Sequence, residues 1–277
     1  MLPTMTTWEL VNRIHSALGE RHPDAMDEGI LTGGDEDTVT GILVANEPSV
    51  ETLRLAVSAG KNCILCREHP YYLFGEYLAV GLAEALRDDP VLQAKRQFIQ
   101  DHRLLIIRLA ALWDTARPKW FSAALARKLG WEPQAAEPGD QWTTACCNIP
   151  ATTLEELAHF VSARLAARNL RMVGEPTRSI KRVAVIHGFS YPTLVLSHAL
   201  QDPAVDCILT GATPEVDHCT TYIRDAITAG RNISLVQVGY EKSDYPGAVE
   251  LTGWLKSILP GMPIEAQPPP GELCWFA

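Results

Sequence analysis

Long apolar runs are missing from this chain of 277 residues. No stretch reaches the ~18 consecutive apolar residues of a membrane helix, and the best candidate, Leu104 to Trp113, is interrupted by Arg108. The opening residues, Met1 to Leu18, have neither a basic start nor an apolar core and carry Glu9, which argues against a secretory signal. Positive charge is also scarce. Lys and Arg number 24 against 33 Asp and Glu, giving a formal charge of −9 and a pI near 5.4. That balance argues against nucleic acid as an obligate partner, because phosphate binding needs a basic surface. No repeat of 20–50 residues is evident, so a solenoid is not expected.

The 7 cysteines are an odd number in a long acidic chain and read as reduced thiols in a cytoplasm. Cys63-Ile64-Leu65-Cys66 has CxxC spacing but lies inside an apolar run, whereas a redox pair sits at a helix N-terminus. The second CxxC of a structural zinc site is missing. Buried structural cysteines are the expectation.

What is present is a hydrophobic content of 47%, enough for a substantial core. Thr6-Thr7-Trp8-Glu9 has the form of a capping box, and Trp8, Val11, Ile14 and Leu18 follow at helical spacing. Residues 20–38 read as an extended loop. Gly41 to Ala45, 62–66 and Leu104 to Leu109 read as strands, the last ending near Asp114, with a helix started by Ser49 and running to Gly60. Pro118 and Gly130 bracket a helix, residues 131–150 are the least regular stretch, and Thr153 caps a helix to Asn169. Further strands are expected at Arg182 to Ile186, Asp206 to Leu209 and Ile233 to Val238, and helices near 217–229 and 247–258. Pro268-Pro269-Pro270 reads as a surface extension. The alternation gives an α/β fold with mixed, mostly parallel sheets. It divides into two interlinked lobes: an N-terminal lobe over 1–132, a linking segment with one helix over 133–180, and a C-terminal lobe over 181–277.

In open α/β sheets, ligands bind beyond the carboxyl ends of strands, so the residues just after each strand carry the functional argument. Glu68-His69-Pro70 follows one strand, Asp114 another, and Tyr240 to Asp244 a third. His187-Gly188-Phe189-Ser190 follows a fourth. Ser190 lacks the Gly-x-Ser-x-Gly frame of a hydrolase elbow, with Pro192 at the final position. His187 is expected to be a hydrogen-bonded, partly buried histidine, while Glu215 and His218 are candidates for a polar pocket pair. Trp113 and Trp120 flank Asp114, and Tyr71, Tyr72 and Phe74 line either a pocket or an oligomer contact. Glu47 and Glu76 have no spacing that singles them out.

In motif order and spacing the chain resembles the NIF-three-like family, also described as dinuclear metal centre hexameric proteins and often labelled GTP cyclohydrolase I type 2 homologues. Asp27-Glu28-Gly29-Ile30 resembles the family's N-terminal Asp-x-x-Gly-Leu signature, Glu68-His69-Pro70 its His-His-Pro strand exit, and Leu112-Trp113-Asp114-Thr115 its His-Thr-Asn-Leu-Asp segment. Arg182 to Gly188 resembles the strand entering its Gly-rich turn, Thr210-Gly211 with Glu215 and His218 its Thr-Gly-Glu…His segment, and Gly239-Tyr240-x-x-x-Asp244 its Gly-His-x-x-x-Glu motif. The resemblance implies two lobes, a homohexamer and one or two divalent metal ions (Mn, Mg, Fe or Zn).

By the same resemblance the ligands fall on Glu68, His69, Asp114, Tyr240 and Asp244, where the family has His, His, Asp, His and Glu. Imidazoles have been replaced by oxygen donors, which tilts the expected preference toward harder ions or a single metal. A phenol of pKa ~10 is a poor replacement ligand. A metal-dependent hydrolase acting on a phosphorylated or nucleotide-like substrate is the leading expectation. A non-catalytic binding or scaffold protein with a degenerate metal site is the alternative.

Overall fold

The computed structural model describes residues 4–19, 28–72, 84–134, 144–190, 202–214 and 219–269. They belong to two compact units, Met1–Arg117 with Ala248–Pro270, and Pro118–Gly247 with Gly271–Ala277.

In the first unit, Thr6 Oγ1 accepts the Glu9 N–H at 3.1 Å and Glu9 Oε2 accepts the Thr6 N–H at 2.8 Å. This reciprocal box starts α1 (Thr7–Leu18), which buries Leu10, Ile14 and Leu18 on one face. Strands β1 (Met5–Thr6) and β3 (Thr38–Val39) form a small antiparallel pair. The main sheet runs in the order β12 (Ile264–Ala266), β4 (Ile42–Ala45), β5 (Cys63–Cys66), β6 (Leu105–Arg108), β2 (Gly29–Thr32). Its first four strands are parallel and β2 is antiparallel to β6. Ser49 Oγ accepts the Thr52 N–H to start α2 (Val50–Ser58), and Asp89 caps α3 (Pro90–Asp101). Leu53, Ala56 and Ile99 pack with Leu43, Ile64, Cys66 and Ile106 in one apolar cluster. Every residue of β4 and β5 is buried, so these strands read as unbroken apolar runs.

The second unit is a sheet in the order β7 (Ala145–Thr153), β9 (Ser179–Phe189), β10 (Cys207–Ala212), β11 (Ser234–Gln237), β8 (Arg171–Val173). Strands β9, β10 and β11 are parallel, while the edge strands β7 and β8 are antiparallel to their neighbours. Side chains alternate along β9 with the period of two that a strand imposes. Val183 and Val185 join the core containing Leu125 of α5 (Trp120–Lys128) and Leu154, Leu157 and Val161 of α6 (Leu154–Leu165). Ala184 and Ile186 join the opposite core with Ile223 of α7 (Cys219–Thr228). Gly239, at φ 96°, makes the turn before α8 (Tyr240–Ile258), whose residues belong to both units. Among the described residues, no helix is long and apolar enough to cross a membrane.

The α/β class with mostly parallel sheets agrees with the sequence reading, but several boundaries differ. Residues 133–180 are not a linker. Within them β7 pairs with β9, and α6 fills the core beneath. Residues 181–277 are not all one lobe, because β12 pairs with β4 of the first unit. The described part of 20–38 contains β2 and β3 rather than only loop. Strand β6 stops at Arg108, and Asp114 lies in a short helix, α4 (Ala110–Ala116), with Ala110, Leu112 and Trp113 buried. Helix α8 begins at Tyr240, so Tyr240 to Asp244 form its opening turns rather than a loop.

Candidate functional site

In the first unit, the exit of β5 is tied to the end of β4. The Arg67 and Glu68 N–H groups donate to the Asn46 carbonyl at 3.1 and 3.0 Å. The Cys66 thiol donates to the Glu68 carbonyl at 3.2 Å. The anchored turn presents Glu68 and His69 to a cavity of about 230 Å³, also lined by Glu47, Ser49, Tyr72 and Lys95. His69 Nδ1 accepts the Tyr71 N–H at 3.1 Å. That bond uses Nδ1 as an acceptor and leaves Nε2 as the other ring nitrogen. Burial pushes the Glu47 carboxyl above its ordinary range, and the charge of Glu68 adds to the shift while Lys95 opposes it.

Asp114 is held from the same turn. Arg67 Nη1 donates to Oδ1 at 3.2 Å and Nη2 to Oδ2 at 2.7 Å, a fork that engages both carboxylate oxygens. Arg67 is itself positioned by Arg108, whose Nε donates to the Arg67 carbonyl at 2.6 Å. Glu28 completes the frame. Its Oε1 lies 3.4 Å from Arg108 Nη1 and accepts the Ala111 N–H at 2.9 Å, at the start of a helix whose N-cap Leu109 provides no side-chain cap. The Glu28-Gly29-Ile30 portion of the N-terminal signature therefore anchors α4, and with it Asp114. Asp27 lies outside the described residues. Trp113 packs edge-on against Trp254 with ring centroids 4.9 Å apart, a structural role.

In the second unit, Asp244 Oδ1 sits 2.8 Å from His187 Nδ1, and both residues are buried. Phe121 covers the imidazole with its ring centroid 5.1 Å away. The His187 N–H donates to Ser122 Oγ at 3.0 Å, and the Gly188 N–H donates to Ser243 Oγ at 2.8 Å. Ser243 in turn donates to the Tyr240 carbonyl at 2.6 Å. Gly188 has φ 65°, and a Cβ there would lie 3.1 Å from Asp244 Oδ1 and 3.2 Å from Tyr240 Cε2. A Cβ on Gly211 would collide with the Gly188 carbonyl and Ser243 Oγ. The two glycines thus let β9, β10 and α8 approach closely at this end of the sheet.

Ser190 is fully buried and its hydroxyl is bonded to that of Thr210, which leaves no exposed nucleophile. Glu215, His218, Phe74, Glu76 and Pro192 lie outside the described residues.

Each unit therefore gathers part of the expected set. Glu68 and His69 share a cavity, while Asp114 faces Arg67. Asp244 faces His187, with Tyr240 one turn before it on α8. Among the described residues, no group of three or more His, Cys, Asp and Glu side chains is arranged to hold a metal ion. Sequence reasoning passed over Arg67, Arg108 and Lys95. Arg67 stands one residue before Glu68, but its partner lies on another element and no local spacing reveals it.

The family model Duf34/NIF3 (NGG1p interacting factor 3) matches residues 5–262. No curated protein sequence matches the chain. Solved structures of other proteins share the fold. Protein SA1388 of Staphylococcus aureus is 18% identical with a TM-score of 0.76, the match covering 99% of each chain. A Bacillus cereus protein related to NIF3 is 14% identical with a TM-score of 0.75, covering 100% of this chain and 99% of the other. Reduced HcgD from Methanocaldococcus jannaschii is 14% identical with a TM-score of 0.66, covering 96% of this chain and 99% of its own. At such identities the likeness speaks for the fold.

Proposed function

The chain belongs to the DUF34/NIF3 family, and from that premise we propose that it is a small-molecule-binding member without a resident metal pair, its carboxylates being held by cationic and imidazole side chains of the protein. The observation that carries this reading is the two-pronged contact of Arg67 with Asp114. Contacts of the expected donors support the reading without a dinuclear centre. Both oxygens of Asp114 are already hydrogen-bonded, Asp244 Oδ1 is bonded to His187, and His69 Nδ1 accepts a backbone N–H. A guanidinium neutralises a carboxylate but stays protonated, so it cannot bring a bound water to the pKa near 7 that a metal-activated nucleophile requires. Binding survives such a replacement, whereas metal-assisted hydrolysis does not.

Metal analysis after dialysis, combined with a phosphoester panel, tests the reading. The expected result is well under one metal per chain and no chelator-sensitive turnover. Tight retention of two metals, with both metal and activity lost in Asp114→Ala, would overturn it in favour of the hydrolase. The homohexamer implied by the family stays a proposal on the same footing, and light scattering giving a monomer would remove it.

A further inference from the structure

A second cavity, of about 510 Å³, lies in the second unit, and none of the expected metal ligands lines it. Its apolar lining includes Trp131, Ile149, Pro150, Leu157 and Phe160, and its charged groups are Glu156 and Arg164. Glu156, Phe160 and Arg164 stand four residues apart on α6 and so form one stripe along that helix. The stripe sets a carboxylate and a guanidinium about 12 Å apart along the helix axis, with an aromatic ring between them.

The aromatic part is a stacked pair. The Trp131 and Phe160 ring centroids are 6.1 Å apart, with planes 22° from parallel. Trp131 is buried while Phe160 is 39% exposed, so the pair keeps apolar surface open to the cavity. The Arg164 guanidinium carbon lies 5.8 Å from the Phe160 centroid. No ion pair ties Arg164 to a carboxylate among the described residues. A Cβ on Gly130, at φ 82°, would lie 3.6 Å from Arg164 Nη2, so the guanidinium rests against the backbone that leaves α5. The facing wall is a bulge. Strand β7 slips in register between Asn148 and Thr152, which pair with Arg182 and Ile180 of β9. Ile149 and Pro150 lie within that slip, and bulges re-aim side chains in this way beside sites. Residues 131–134 run antiparallel beside β7, with Pro133 bridging Cys147 and the Gln134 N–H donating to the Cys146 carbonyl at 2.8 Å. By Gln134 the chain is therefore leading away from Ile149 and Pro150.

We propose that this cavity binds a planar aromatic monocarboxylate, its rings on Trp131 and Phe160 and its carboxylate on Arg164. The volume falls within the range of about 300–1,000 Å³ usual for small-molecule sites. A guanidinium fork matches a carboxylate, and one beside an aromatic ring places the anion next to the stacked body of the ligand. Glu156 sets the opposite limit. Its Oε2 accepts the Thr153 N–H at 3.0 Å and the Thr152 hydroxyl at 3.1 Å. These bonds hold its carboxyl below the ordinary range, so a fixed negative charge repels a second anionic group. An anion fits better than a cation because that Glu156 oxygen is already engaged by the helix cap, whereas Arg164 lies beside the ring that holds the ligand.

The intact protein is titrated calorimetrically at neutral pH with naphthoate, naphthamide and naphthalenedicarboxylate, which share one ring system. Naphthoate should saturate and bind about fivefold tighter than naphthamide, the upper end for an exposed ion pair. Arg164→Gln should bring naphthoate to the naphthamide level without changing naphthamide, and Phe160→Ala should weaken both. Glu156→Gln preserves the capping-box pattern and should tighten the dicarboxylate more than naphthoate. Absence of saturable binding to the wild type, or equal affinity for naphthoate and naphthamide, would overturn the site without any variant. An unchanged naphthoate affinity in Arg164→Gln would overturn it too, since the ligand would then bind elsewhere. An arginine serving only the end of α5 would lower the thermal midpoint of that variant and leave the ratio of the two affinities as it was. None of these readouts depends on metal content, so failure here leaves the preceding reading standing.

Discussion

Helix α8 carries two glycines, Gly247 and Gly253, at which the same substitution should move stability in opposite directions. Changing a helical glycine to alanine gains about 0.5–1 kcal/mol from backbone entropy alone. At Gly253 an added Cβ meets nothing within 4 Å, so that gain stands. At Gly247 it would fall 2.7 Å from Phe121 Cε1 and nearer still to Cγ and Cδ1. Carbon contacts are comfortable at about 3.5–4.0 Å, so the ring must shift on the order of 1 Å. Phe121 is 2% exposed and lies against the His187 ring, so little room exists to yield. Overpacking of a rigid buried ring belongs near the upper end of the usual range of about 1–3 kcal/mol. Set against the helix gain, Gly247→Ala should lose about 2 kcal/mol. With about 2–4 °C per kcal/mol for a chain of this size, its thermal midpoint should fall by about 4–8 °C. Gly253→Ala should rise by about 1–4 °C on the same scale. Thermal unfolding followed by circular dichroism measures both. Adding Phe121→Leu to Gly247→Ala should recover part of the loss, since the two sites share one contact. If Gly247→Ala were as stable as Gly253→Ala, the packing argument for that end of the second unit would be wrong.

Two further predictions follow from burial of titratable groups. Lys95 has a folded pKa of about 8, below that of the unfolded chain. The unfolded state therefore holds the extra proton between about pH 8 and 10.4, and stability rises with pH through that window. Lys95→Met should stabilise on the order of 2–3 kcal/mol at pH 7 and much less at pH 10.5; equal gains in urea midpoints at both values would refute the assignment. Burial pushes the Cys63 and Cys147 thiols up to about 12, and Cys66 and Cys207 upward as well. Below about pH 8.5 both states keep these protons, and above it the unfolded state alone releases them, so their contribution to stability falls as pH rises toward 12. Iodoacetamide at pH 8 should leave Cys63, Cys66 and Cys207 unmodified until denaturant is added, and native labelling of Cys63 would contradict their burial.

What the sequence made legible was local. Thr6, Ser49 and Thr153 announce helix starts because each cap is a short-range bond, and each is realised. Central strands such as β5 and β9 stand out because burial on both faces leaves few polar interruptions. Strands β2, β8 and β12 escaped notice because they are short, only partly buried, and defined by distant partners such as β4 for β12. The same distinction governs the site. Glu68 and His69 were recognisable as a pair at a strand end, and the structure gives them a common cavity. Asp114 was expected just beyond a strand rather than in a helix because, with only Arg108 between them, the apolar residues of β6 lead into those of α4. Its contact with Arg67 depends on tertiary proximity, which no spacing rule encodes.

The passage of α8 through both units bears on how the chain acquires its structure during synthesis. Every strand and described helix of the second unit up to α7 lies between residues 118 and 247. The first unit starts earlier but recruits β12, residues 264–266, from close to the other terminus. Until those residues leave the ribosome, β4 is the outer strand of its sheet, with one side of its backbone unpaired. The unit translated first is thus the one completed last, and late truncations would leave a nascent β4 available for pairing with another chain.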